Sequence, residues 1–147
     1  MNTREINGLL HSRCRESFLG TFASDRLPSQ LPPRRPLFLV VNTDPHNRPG
    51  EHWVAIYVDS ESKGEFFDSL CQPTPTKFAK FLDKCCASWR TSSRQLQSAA
   101  SRFCGHYCIF YCVFRSLGFS LNRIESCFTH DTGVNDVFVH GIICHLK

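Results

Sequence analysis

The stretch SRFCGHYCIFYC at 101–112 decides how this chain folds. Its three cysteines stand four residues apart, at 104, 108 and 112, with bulky apolar residues between them. Residues four apart share one face of a helix, and the apolar character continues all round, so we expect a buried helix over 104–118. Three interpretations of the cysteines remain open at this point: a metal-binding site, a set of buried thiols, or a nucleophile at the N-terminus of a helix.

Length and composition predict one globular domain over residues 1–147. The apolar fraction of 41% and the charged fraction of 20% suit a packed core, which thirteen phenylalanines would make rich in aromatic rings. A net charge of +4 permits binding to DNA without requiring it. No stretch approaches the roughly 20 apolar residues that span a bilayer, and the amino terminus lacks the apolar core of a signal peptide. We therefore expect a soluble, unsecreted protein whose nine cysteines, an odd number, are reduced.

Three strand signals occupy the middle of the chain. They are LFLVVN at 37–42, HWVAIYV at 52–58 and EFFDS at 65–69, and turn-forming residues separate them. This succession predicts an antiparallel meander.

Helical patterns flank these strands. Asn2, with Glu5 three residues later, predicts a capped helix over 2–13. The proline-rich segment 18–36 reads as an irregular loop. Further helices are expected at 74–89, where apolar residues through Trp89 share one face, and over two short segments at 120–128 and 135–143. Strands that mostly precede helices predict an α+β fold.

The position of Cys104 favours a nucleophile. The positive end of a helix lowers the pKa of a thiol there. The amide of Cys104 would help to hold an oxyanion, and Gly105 would let a substrate approach the backbone closely. Cys108 and Cys112 lie one and two turns inside the helix, where a thiol usually serves as a small hydrophobe.

A structural zinc site is the weaker interpretation. Such sites usually contain repeated pairs of cysteines separated by two to four residues. Here three thiols would line one helix face without a fourth ligand, and the adjacent Cys85 and Cys86 do not form a second pair of the usual kind.

A cysteine nucleophile needs a base, and His52 is the preferred one of seven histidines. It begins a strand, which is rigid enough to aim an imidazole, and Trp53 follows it. His106 is two residues from Cys104 on the same helix and should point away from the thiol. His46 lies in a predicted turn. The alternative is that His52 has no catalytic role and is a surface or core histidine whose hydrogen bonds are satisfied.

The base in turn needs an orienting acceptor. If strands 52–58 and 65–68 pair as a hairpin, His52 and Asp68 meet at the same edge of the sheet. Asp59 lies at the opposite end of that hairpin. A side-chain donor for an oxyanion hole would come from Gln97 or from Gln95, both in the polar segment before Cys104.

These residues, in this order, resemble the adenovirus-type cysteine endopeptidases, the adenain family, and in particular those carried by Maverick/Polinton-type elements and related double-stranded DNA viruses. The resemblance implies that His52 is the general base, that Asp68 orients it, that Gln97 contributes to the oxyanion hole and that Cys104 attacks the peptide carbonyl. The interval to the cysteine favours Gln97 over Gln95. The matching stretches are FLGTFASDRLP (18–28), FLVVNTDPHNRPGEHWVAIYV (38–58), EFFDSLCQPTP (65–75) and QSAASRFCGHYCIFYC (97–112).

The resemblance also implies a fold and a biological role. The fold is papain-like or adenain-type, a mixed, mainly antiparallel sheet packed on helices, with Cys104 at the head of a buried central helix. The role is maturation of virion precursor proteins in the host nucleus or the virion. The sequence itself requires no cofactor or metal, and we expect a monomer that contacts no membrane. Adenoviral enzymes are stimulated by DNA and by a cysteine-bearing peptide, for which Cys85 or Cys86 would be the linking thiol.

Other functions fit parts of the same pattern. Proteases that remove SUMO- or ubiquitin-like modifiers share the order of the four residues and the tryptophan after the histidine. An inactive relative would keep the fold as a binding module. A zinc or nucleic-acid module is the remaining alternative.

Overall fold

The computed structural model describes all residues from 1 to 147. It contains five helices and five strands. The helices are α1 (Thr3–Cys14), α2 (Thr76–Cys85), α3 (Cys104–Ser116), α4 (Leu121–Ser126) and α5 (Thr132–Leu146). The strands are β1 (Phe18–Phe22), β2 (Leu37–Asn42), β3 (Trp53–Val58), β4 (Lys63–Phe67) and β5 (Ser88–Thr91).

The strands form one mixed sheet in the order β1-β2-β3-β4-β5. β2, β3 and β4 are antiparallel neighbours, so the predicted meander is confirmed. β1 and β5 extend it at the two edges, and each runs parallel to its neighbour. The chain has an α+β fold with a mixed sheet packed on helices.

Both edge strands differ from the sequence-based expectation. The segment 18–36 was expected to be irregular, but its first five residues form β1. Gly20 has φ +143° in this strand, and the register against β2 shifts between Phe18 and Gly20. The irregularity interrupts the alternation of apolar and polar residues by which a strand is recognised in a sequence. The helix expected through Trp89 ends at Cys85, and Ser88–Thr91 pairs with β4 instead. Long-range pairing with existing strands decides both segments.

Helix boundaries follow their capping residues. At α1, Asn2 accepts the N–H of Glu5 at 3.0 Å, and the Glu5 carboxylate accepts the N–H of Asn2 at 2.9 Å, so the predicted capping box is confirmed. The last helix is longer than the predicted 135–143 because Asp131 caps it, accepting the N–H groups of Gly133 and Val134. None of the helices is long and apolar enough to cross a membrane.

The sheet separates two apolar clusters. Alternate side chains of β2 and β3 point to opposite faces. Phe38, Val40 and Ala55 join the larger cluster with α1, α3 and α5, whereas Leu39 and Ile56 join the smaller one beneath α2. The central helix α3 is buried on nearly all sides, as its sequence predicts.

A buried carboxylate fixes α3 against β4. Glu65 accepts the Tyr111 hydroxyl at 2.5 Å and the Arg115 guanidinium at 3.0 Å, both from α3. Arg90 of β5 donates to it from the other side at 2.9 Å. Burial raises the pKa of Glu65, but the bonds to Arg115, Tyr111 and Arg90 outweigh burial and lower it overall. This network lies at the end of α3 away from Cys104 and sets how the head of the helix faces the sheet.

Candidate active site

The hairpin of β3 and β4 brings His52 and Asp68 together. Ala55 pairs with Phe67 in its register, so the residue before β3 and the residue after β4 lie at the same sheet edge. His52 Nε2 lies 2.6 Å from Asp68 Oδ1. The juxtaposition expected from the short turn between the strands is therefore present in the structure. Asp59 lies at the other end of the hairpin, where its carboxylate accepts the N–H groups of the turn.

Asp68 is held rigidly by backbone and side-chain partners. Its Oδ1 also accepts the N–H of Leu70 at 2.9 Å, and its Oδ2 accepts the N–H of Gln72 at 3.1 Å. Its own N–H donates to Ser92 Oγ at 2.9 Å. The side chain is buried and has no freedom to turn away from His52. Ser92 directly follows β5, the strand that sequence reasoning missed, so this support was not predictable.

Cys104 is the first residue of α3 and completes a chain of three groups. The Cys104 thiol interacts with the imidazole of His52, whose Nε2 is engaged by Asp68. Burial raises the pKa of Cys104, but the hydrogen bond with His52 and those from the amides of Trp53 and Gly105 outweigh it, so the pKa lies below that of an ordinary thiol. The first amides of a helix have no partner within it and favour a negative charge there.

The pKa of the His52 imidazole shifts in the opposite direction to that of the Cys104 thiol. Burial lowers the pKa of His52, but hydrogen bonds and charge interactions with Asp68 and Cys104 outweigh burial and raise it to about 9. A lowered thiol pKa beside a raised imidazole pKa favours the thiolate–imidazolium pair near neutral pH. The thiolate is the nucleophilic form of cysteine.

Gln97 lines the same cavity as Cys104 and is fixed at its oxygen. Gln97 Oε1 accepts the Ser69 hydroxyl at 2.6 Å, which places Nε2 on the other side, where it donates to the carbonyl of Ser101 at 3.1 Å. The side chain is 1% exposed. The second N–H of Nε2 is left over, and Gln97 lines the same cavity as Cys104. Such an amide is suited to hold an oxyanion. The contribution of Ser69 was not expected from the sequence.

A cavity of about 540 Å³ opens over these groups. His52, Gln97 and Cys104 line it together with Asn42, Gly50 and Trp53. Its dimensions suit a segment of polypeptide better than a single small ion. The four residues selected from the sequence thus line or adjoin one cavity, in an order that suits acyl transfer.

The competing residues lie elsewhere. Gln95 is exposed and donates to the carbonyl of Gln97. His46 pairs with Asp25 on the surface at 2.5 Å. His106 points away from the thiol, as expected, and its ring packs on Phe103 and His140.

Two further expectations concern glycine and the thiols of α3. Gly105 packs against side chains and does not line the cavity: an added Cβ would lie 3.2 Å from Met1 Cβ, which is a tight contact, and 3.5 Å from Trp53 Cδ1, which is an ordinary one. Cys108 and Cys112 are buried, and burial raises the pKa of both thiols well above the usual value. No group of three or more His, Cys, Asp or Glu side chains is arranged to hold a metal ion.

Comparison with known proteins agrees with the class of fold. No family model matches the sequence, and no curated protein matches it. Among solved structures, the fold is that of the Ulp1-like and adenain-like cysteine proteases.

Three solved structures illustrate the match. The ASFV pS273R protease superimposes with a TM-score of 0.66 and 20% identity over 92% of this chain. The SUMO protease Ulp1, with its catalytic cysteine oxidized to a sulfinic acid, superimposes with a TM-score of 0.54 and 16% identity over 100% of this chain. ChlaDub1 from Chlamydia trachomatis superimposes with a TM-score of 0.53 and 14% identity over 76% of this chain. The chain spans 64% of the ASFV protease, 79% of the Ulp1 chain and 58% of ChlaDub1.

Asp68→Asn tests the orienting contact. An amide can still meet His52, but it has no charge to stabilise an imidazolium, so we expect kcat to fall by about 100-fold while the fold persists. The measurement is peptide-bond cleavage together with a thermal melt. An unchanged kcat would show that another group orients His52.

Gln97→Glu tests the Nε2 donor of Gln97 separately from its Oε1 acceptor. The carboxylate keeps the acceptor for Ser69 and loses the Nε2 donor. We expect a fall in kcat of about 100- to 1,000-fold with little change in KM, because the lost contact is made to the transition state. Gln95→Glu is the matched control and should leave kcat unaltered. A larger change in KM than in kcat for Gln97→Glu would contradict the assigned role.

Proposed function

We propose that this protein is a cysteine endopeptidase. The observation that carries the proposal is an imidazole held between a buried carboxylate and a thiol at a helix head, beside an amide that lines the same cavity. Each of these groups has an ordinary structural explanation by itself. Their convergence on one 540 Å³ cavity, with the thiol pKa lowered and the imidazole pKa raised, favours catalysis.

The geometry suggests the course of the reaction. The Cys104 thiolate attacks the carbonyl carbon of the scissile bond, and its sulfur–carbon bond forms as the carbonyl oxygen becomes negative. Gln97 Nε2 and the free amide of Cys104 donate to that oxygen. The His52 imidazolium then gives its proton to the leaving amine, which departs and leaves a thioester. Neutral His52 next takes a proton from water, which hydrolyses the thioester and restores the thiol.

Virion or transposon precursor proteins are the proposed substrates. This rests on the resemblance of four sequence stretches to adenovirus-type endopeptidases, with a Polinton-like element or a related virus as the source. Action in the host nucleus or the virion belongs to the same proposal. Stimulation by DNA is compatible with the net charge of +4. Burial raises the pKa of Cys86 to about 11 and that of Cys85 above its usual value, so neither is an activated thiol before a partner binds.

Removal of a SUMO- or ubiquitin-like modifier is the second candidate. The observation in its favour is the match to the SUMO protease Ulp1, which extends over 100% of this chain. Both candidates use the same chemistry at Cys104 and differ in what fills the cavity.

The test compares the protein with Cys104→Ser on two probes. The first is a peptide library made from a digested proteome, in which new amino termini are mapped by mass spectrometry. The second is a set of SUMO and ubiquitin fusions with a reporter after the modifier. Cleavage of library peptides by the unaltered protein alone supports the endopeptidase. Cleavage restricted to the fusions supports the modifier protease. Activity that persists in Cys104→Ser contradicts both.

A further inference from the structure

Asn42 occupies the border between two cavities. It is the last residue of β2 and pairs with Trp53 across the sheet, one residue from His52. It lines the cavity of Cys104 and also a neighbouring cavity of about 250 Å³, and Gly50 and Trp53 line both as well. A chain that leaves Cys104 along this wall therefore passes Asn42.

The side-chain amide of Asn42 is held in place through its oxygen, whereas its nitrogen has no hydrogen-bond partner in the protein. Its Oδ1 accepts the N–H of Asp44 at 2.9 Å and that of Glu51 at 3.3 Å, which fixes the oxygen towards the β2–β3 loop. Nδ2 lies on the Gly50 side of the amide, and no group in the chain accepts from it. The residue is 7% exposed. Nδ2 opens onto the cavity and is not enclosed by the protein, so a substrate carbonyl can take the place of water there.

Gly50 keeps the space around that donor open. An added Cβ at this position would lie 2.9 Å from Asn42 Nδ2, closer than side chains tolerate. Gly50 also has φ +92°, a conformation that glycine adopts without strain. The close approach of the loop to Nδ2 thus depends on the absence of a side chain.

The position of His52 sets the direction of the substrate. His52 must give its proton to the leaving amine, so the part of the substrate after the scissile bond lies on the His52 side. The smaller cavity is lined by neither His52 nor Asp68. In the proposed pose, the part before the scissile bond, which becomes the acyl group, runs past Trp53 and Asn42 into the smaller cavity.

We propose that Asn42 Nδ2 donates a hydrogen bond to a backbone carbonyl of the substrate on the acyl side of the scissile bond. This rests on the proposed endopeptidase function and adds a positioning residue to it. A contact to a carbonyl selects an extended peptide, whatever its side chains, and fixes its register on Cys104. Specificity for particular side chains must then come from other parts of the two cavities.

The test uses two alkylating probes, of which only one occupies the acyl side of the cleft. Because each variant is compared with the unaltered protein, the difference between their reactive groups cancels. Mixed-sequence N-acetyl tetrapeptidyl chloromethyl ketones place a peptide on the acyl side, whereas iodoacetamide reaches the thiol alone. Asn42→Asp keeps an oxygen for the two loop amides and loses the Nδ2 donor. We expect the alkylation rate of Cys104 by the peptidyl probe, divided by its rate with iodoacetamide, to fall by about 10- to 100-fold. The hydrogen bond to the substrate carbonyl is lost, and the new carboxylate repels the carbonyl oxygen.

Two further variants make the result decisive. Asn47→Asp makes the same substitution at an exposed position that lines neither cavity and should leave the ratio unchanged. Gly50→Ala displaces the amide without altering its chemistry and should lower the ratio as well. If Asn42→Asp leaves the ratio unchanged, or if iodoacetamide slows as much as the peptidyl probe in both Asn42→Asp and Gly50→Ala, the proposal is wrong and Asn42 is structural. If the unaltered protein does not prefer the peptidyl probe at all, the proposed function itself fails.

Discussion

Replacing Cys104 by serine is expected to lower the rate of peptide cleavage by about 10⁴-fold or more without unfolding the protein. The hydroxyl occupies nearly the same volume, so the packing at the head of α3 is kept. An alcohol holds its proton far more tightly than a thiol, and the arrangement of His52 and the helix amides that produces a thiolate does not produce an alkoxide. The measurement is single-turnover cleavage of a library-derived peptide, with circular dichroism to verify the fold.

Cys108→Ala and Cys112→Ala are the matched controls for this variant. Both thiols are buried and do not line the cavity. Each change should cost on the order of 1–2 kcal/mol of unfolding free energy through a small cavity and leave turnover nearly unaltered. Loss of turnover in Cys108→Ala, with an intact fold, would mean that the nucleophile has been assigned to the wrong residue.

Removing the imidazole with His52→Ala should raise the pKa of Cys104 above that of an ordinary thiol. Burial raises this pKa, and the hydrogen bond from His52 is the largest effect that lowers it. Each unit of increase removes nine tenths of the thiolate at a pH below the pKa. We expect alkylation by iodoacetamide at pH 6.5 to slow by about 100-fold in the variant.

The measurement is alkylation from pH 5 to pH 10, with each cysteine mapped by mass spectrometry. In the unaltered protein, Cys104 should already react rapidly well below pH 8. Turnover should decline as the pH rises through about 9, because His52 then loses the proton that the leaving amine needs. The exposed Cys127 serves as the reference thiol in both proteins. Identical Cys104 profiles with and without His52 would exclude the proposed pair.

The central helix and the meander could be predicted because their signals are local. The continuous apolar run after Cys104 fits only a buried helix, and strands separated by short turns pair with their neighbours. The same reasoning placed His52 beside Asp68, since the start of one hairpin strand meets the end of the next. Gln97 was singled out by resemblance, because a glutamine in a polar segment carries little information by itself.

The two edge strands could not be predicted for the opposite reason. β1 and β5 run parallel to partners that are distant in the sequence, and their own residues show neither alternation nor a continuous apolar run. Missing β5 also meant missing Ser92, which holds the backbone of Asp68. Asn42 ends an apolar strand, and nothing in its sequence neighbourhood indicates that its amide faces a cavity.

The α+β order, the buried helix with Cys104 at its head and the hairpin that joins His52 to Asp68 follow from the sequence alone, since each depends on periodicity or on neighbours along the chain. How these parts meet follows from the folded structure. The pKa values of Cys104 and His52, the fixing of Gln97 by Ser69 and the free amide of Asn42 depend on burial and on contacts between segments that lie far apart in the sequence. Desolvation and hydrogen bonding act over a few ångströms in space, and no local pattern records them.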